Sequence, residues 1–76
     1  MIVSKKELLS HQISASLLNV DQLETIIFDL CIEKKEMLSF ITPKEIESYD
    51  SVIDIYQKEL KLKNAITINN YSTLLH

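Results

Sequence analysis

Six residues, Ile41-Thr42-Pro43-Lys44-Glu45-Ile46, restrict this chain more than any other stretch. Threonine is a good N-cap, because its side-chain oxygen accepts from a first-turn amide that has no intrahelical partner. Pro43, in the next position, has its φ preset and lacks an N–H that the helix does not need there. Glu45 can reach back to the cap's own N–H, and Ile41 can pack on Ile46 as a hydrophobic staple. Four devices thus specify one helix start, and long periodic segments lie on both sides of it. An α-helical hairpin satisfies them all.

The same start occurs twice more. Val3-Ser4-Lys5-Lys6-Glu7-Leu8 has a serine cap, a glutamate three residues on and a Val/Leu staple, and Leu18-Asn19-Val20-Asp21-Gln22-Leu23 repeats it with Asn, Gln and a Leu/Leu staple. The segments that follow differ in length and pattern, so these are three helices and not three copies of a repeat. The prediction is an all-α single domain over residues 1–76, with helices at about 5–17, 20–40 and 43–63 and a tail over 64–76. Equal lengths and almost no loop make the two long helices an antiparallel hairpin, with the shorter N-terminal helix added to it.

Apolar spacing assigns the faces. In the first helix Leu9, Ile13 and Leu17 form a narrow stripe supplemented by Leu8, and the serines at 10, 14 and 16 lower its propensity. The second carries Leu23, Ile26, Ile27, Leu30, Met37, Leu38 and Ile41 on one broad face. Lys34 interrupts that face, its stem packing while the ammonium reaches water. Cys31 beside this face reads as a small buried apolar residue, and Phe28 and Ile32 hint at a second contact. In the third helix Ile46, Tyr49, Ile53, Tyr56 and Leu60 alternate by three and four, an unbroken core stripe. Asn64 suits a helix stop. The residues after it read as a loose tail, or as a late helical extension docking through Leu74 and Leu75.

A second apolar line, Val52, Ile55, Leu62 and Ile66, lies on the other side of the third helix. The solvent side of a two-helix hairpin is polar, so this line needs a cover. Either the first helix supplies it or a protein partner does, and these four residues are the candidate partner-binding site.

Composition narrows the function. A chain of 76 residues buries only ~60% of the surface its unfolded form exposes. With one cysteine it has no internal disulfide to compensate. Either the chain packs unusually well as a bundle on its own, or a partner, in a hetero-complex or a homodimer, is the remaining source of stability. Glycine is absent, which excludes phosphate-cradling loops, and 8 Lys+Arg against 11 Asp+Glu disfavours direct nucleic-acid binding. No export signal opens the chain and no run of ~18 apolar residues could span a bilayer, so a cytoplasmic location away from the membrane is expected. His11 and His76 have no ligand or base partners at useful spacing, and Asp50 and Asp54 fall on the polar side of their helix. The reading is a non-enzyme with no catalytic residues, metal, cofactor or small-molecule substrate.

From about Ile26 to Leu62 the chain resembles the type III secretion needle co-chaperones (the Ysc, Psc and Ssc "E" proteins). A long helix ends in Lys34-Lys35-Glu36-Met37, a short connection holds Pro43, and a second helix carries Tyr49, Ile53 and Leu60. The family's glycine at the connection is missing here, and the tail is longer. The resemblance implies a cytoplasmic helical hairpin that binds the needle subunit and a tetratricopeptide-like chaperone, preventing premature assembly. A second likeness is to the Hha/YmoA transcription modulators, through Val20-Asp21-Gln22-Leu23-Glu24 and through Tyr49, Ser51, Asp54 and Glu59-Leu60. It implies that Asp54 contacts the nucleoid protein H-NS, although Ile55-Tyr56 stands where that family has His-Arg. Asp50-Ser51-Val52-Ile53-Asp54-Ile55-Tyr56 is also similar to a stretch of the sporulation aspartyl-phosphate phosphatases, but Ile46 replaces the serine that precedes it there.

Overall fold

A computed structural model describes the backbone of residues 3–75 and the side chains of residues 3–65. The described residues form three α-helices and no strand: α1 (Lys5–Leu17), α2 (Val20–Met37) and α3 (Pro43–Leu75). Each begins at one of the three cap sequences. The Glu7 amide donates to Ser4 Oγ at 3.2 Å. At α2 the box is reciprocal, with the Gln22 amide donating to Asn19 Oδ1 at 2.8 Å and the Asn19 amide to Gln22 Oε1 at 3.0 Å. At α3 the Glu45 amide donates to Thr42 Oγ1 at 3.3 Å, and the Thr42 amide reaches Glu45 Oε1 at 3.5 Å. Two otherwise unpartnered first-turn groups are satisfied in this way at α2 and at α3.

Two elements end elsewhere than the residue pattern predicts. α2 stops at Met37, short of Phe40, in a tight turn where the Phe40 amide donates to the Met37 carbonyl at 2.8 Å. Met37 and Leu38 are exposed there, not part of the inner face, although Leu38 keeps helical φ and ψ (−51°, −36°). α3 continues past Asn64 to Leu75. No described residue has a positive φ, so Asn64 does not take the left-handed conformation that would have stopped the helix. At 1.5 Å per residue α3 is ~50 Å long, which accounts for the 52 Å long axis of the molecule. The docking of Leu74 and Leu75 lies outside the described side chains.

α3 is the scaffold on which both other helices pack. Tyr49, Ile53 and Tyr56 of the predicted stripe are buried, with Ile46 and Leu60 partly so. The centre of the core is Ala15, Leu23, Val52 and Tyr56, one or more residues from each helix, surrounded by Val3, Leu8, Leu18, Ile26, Ile27, Leu30, Ile55 and Leu60. α1 follows α3 in the same chain direction. The Val3 amide donates to Ser48 Oγ at 3.2 Å, His11 meets Tyr56 further along, and Lys63 Nζ donates to the Ser16 carbonyl at 3.1 Å.

α1 is rotated by half a turn relative to its predicted face. Leu8, His11, Ala15 and Leu18 point toward α3, whereas Leu9, Ile13 and Leu17 are 56%, 58% and 80% exposed. Two local facts account for this. Ala15 is small enough to bring the α1 backbone against Val52, both being 1% exposed. The buried Tyr56 hydroxyl needs a partner, and His11 Nδ1 lies 2.8 Å from it. Leaving that hydroxyl unpaired would cost ~1–3 kcal/mol.

Candidate functional site

The apolar line on the far side of α3 is divided by α1. Val52 is enclosed in the core, where α1 and Leu23 cover it. Ile55 is half-buried at the edge of that core, and Leu62 is 56% exposed. Ile66 lies outside the described side chains. The first helix therefore covers Val52, partly covers Ile55 and leaves Leu62 open.

Ile55 and Leu62 form one wall of a groove of about 400 Å3 whose other wall is Leu8, Gln12 and Ala15 of α1. Its rim is polar, with Asp54, Lys58 and Glu59. Lys58 pairs with Asp54 at 2.9 Å, and Glu59 lies 3.8 Å from Lys63. A groove with apolar walls, edged by charges, suits a helix laid lengthwise, since such a partner places a side chain in the groove every three or four residues. It suits a small molecule less well, because the groove is open along its length and offers no converging set of buried polar groups.

Lys63 fixes the lower end of the groove wall. α1 has no basic residue in its last turn, so beyond Ala15, whose carbonyl accepts from the Leu18 amide, the carbonyls at its negative pole lack a cationic partner of their own. Lys63 supplies one from α3, donating to the carbonyls of Ser16 and Leu18. At the middle, the His11 and Tyr56 rings meet edge-on with centroids 5.6 Å apart. Burial pushes the Tyr56 phenol above its ordinary value. The pair is an anchor between helices.

On the opposite side of α3 the polar residues are arranged differently. Lys34 does not simply reach water: its ammonium sits 2.5 Å from Asp50. Asp50 and Asp54 thus face separate lysines, one on α2 and one on α3. Cys31 is exposed, against the reading of it as a buried apolar residue. Its position lies one step off the Leu23–Ile27–Leu30 face, at the margin of the α2–α3 contact, where it lines a surface cleft with Ile53 and Asp54. Phe28 and Ile32 are also exposed on α2. Among the described residues there is no group of three or more His, Cys, Asp or Glu side chains able to hold a metal ion. No described helix is long and apolar enough to cross a membrane.

The groove was partly foreseeable, since Ile55 and Leu62 stand on the line that the helical spacing picks out. Its other wall was missed. The 3-4-3 spacing of Leu8, His11, Ala15 and Leu18 is a valid inward pattern, but His and Ala weigh little beside Leu, Ile and Leu. Compared with protein-family models, with curated proteins and with solved structures, the chain matches none.

Proposed function

We propose that this chain is a small cytoplasmic binding module that covers apolar helical surface on another protein. Its action would be that of the secretion needle co-chaperones: masking a partner's helix until assembly. The observation that carries the reading is the open groove between α1 and α3, with the half-buried Ile55 and the exposed Leu62 on its wall. The α2–α3 pair serves as an antiparallel hairpin supporting that groove. Lys34 beside Asp50 near the connection, and Leu23 in one cluster with Tyr56 farther from it, favour that arrangement.

The test is quantitative capture by the tagged full chain and by its Leu62→Lys variant, with far-UV circular dichroism on both. A stoichiometric helical partner that is lost from the variant, while helicity is kept, supports the proposal. An identical set of captured proteins for the two chains refutes it. A nucleoid protein retained by Leu62→Lys but lost on Asp54→Asn would place the chain with the transcription modulators instead.

A further inference from the structure

The outward face of α1 is the least expected surface in the molecule. Single exposed leucines are ordinary on proteins. Here three large aliphatic side chains, Leu9, Ile13 and Leu17, stand in one exposed row at intervals of four, ~12 Å from end to end. The same helix turns its smaller apolar side, Ala15 with His11, toward the core. No Asp, Glu, Lys or Arg occurs from Leu8 to Val20, and serines at 10, 14 and 16 flank the row. Whatever covers it meets a short, neutral, apolar ridge with small neighbours.

We propose that the occupant is α1 of a second copy of this chain, lying antiparallel across a two-fold axis at Ile13. A two-fold contact requires a surface complementary to itself. This row meets that requirement, because leucines stand four residues before and four residues after a central isoleucine. Leu9 packs on Leu17 of the copy, Ile13 on Ile13, and Ser10 falls beside Ser16. The charges select the antiparallel sense. The first turn of α1 carries exposed Lys5, Lys6 and Glu7, a net charge of about +1. At the other end Lys63 caps the terminal carbonyls and is itself balanced by Glu59 at 3.8 Å, which leaves the exposed Asp21, just beyond the helix, as the net charge there. An antiparallel pair sets each lysine turn against the acidic end of its copy, whereas a parallel pair would stack the lysine turns on each other. A contact of one short helix per copy falls below the ~800 Å2 per partner of a standard interface. The dimer is therefore weak and dissolves on dilution. This surface is separate from the groove at Ile55 and Leu62 and does not rest on the function proposed for it.

The experiment uses the full chain with Cys31→Ser, so that each added cysteine is the sole thiol. Oxidation with copper–phenanthroline is expected to cross-link Ile13→Cys to itself. Leu9→Cys and Leu17→Cys each stay uncross-linked alone but join when mixed. Pairing of 9 with 9 and 17 with 17, or no pairing at all, overturns the proposal. Sedimentation of the unmodified chain from about 10 μM to about 2 mM is expected to show a monomer giving way to a dimer. Ile13→Glu, which places two like charges across the axis, is expected to weaken that dimer by more than about a hundredfold. Leu17→Lys repeats the test should Ile13→Glu lose helicity. A chain that stays monomeric throughout, or a dimer that survives these charges, refutes the proposal. Leu62→Lys leaves this dimer unchanged, which separates it from the groove.

Discussion

Replacing Leu23 by alanine tests the packing at its centre. Leu23 is 0% exposed and shares one cluster with Ala15 of α1 and with Val52 and Tyr56 of α3. The substitution removes three carbon atoms, worth about 2.4 kcal/mol at ~0.8 kcal/mol for each buried methylene. The surrounding side chains come from three separate helices and cannot all close on the gap, so the cavity left behind raises the loss to about 3–4 kcal/mol. A small domain with one core has only ~3–5 kcal/mol of stability to begin with, so the variant is expected to stand near its unfolding midpoint in buffer alone. The assay is urea unfolding followed by far-UV circular dichroism at about 5 μM protein, where the α1 row stays uncovered, with linear extrapolation to water. Leu17→Ala is the control. Leu17 carries the same side chain, is 80% exposed, and its loss is expected to cost less than ~0.5 kcal/mol. Equal losses from the two variants would mean that Leu9, Ile13 and Leu17 face the core after all, and the half-turn rotation of α1 would be wrong.

Two further outcomes follow from the groove and its supports. Burial raises the phenol of Tyr49, helped by a hydrogen bond and charge from Glu33 and the charge of Glu45, and burial raises that of Tyr56, both above the ordinary 10.0. A raised folded value means that the folded chain holds the phenol proton more tightly. This stabilisation is complete below pH 10 and is lost as pH climbs through the folded values. Tyrosinate absorbance at these two residues is therefore expected to rise together with loss of helicity; complete ionisation near 10 with helicity intact would refute it. Lys63→Met keeps the aliphatic stem but removes the donor to the Ser16 and Leu18 carbonyls. The expected loss is ~1 kcal/mol, with faster amide exchange over residues 13–18, and unchanged exchange there would show that Lys63 does not hold α1.

The residue order alone determined where each helix begins. Cap, box and staple act within five residues of one another, so Ser4, Asn19 and Thr42 make the hydrogen bonds that their neighbours dictate, whatever the rest of the chain does. It also determined the α2-facing stripe of α3, Tyr49, Ile53 and Tyr56, although the second line's Val52 is buried as deeply. Of the candidate site, Ile55 and Leu62 were legible from the same spacing, whereas the second wall was not. Only the tertiary structure decided which way α1 turns. Two stripes on that helix compete, and counting apolar carbon favours Leu9, Ile13 and Leu17. The decision belongs to contacts with residues far along the chain: a close approach at Val52 that only Ala15 permits, and a buried Tyr56 hydroxyl that only His11 reaches. The local sequence offers the 3-4-3 stripe but cannot rank it first, because each contact depends on the shape and unmet hydrogen bond of a surface that exists only once α2 and α3 have packed.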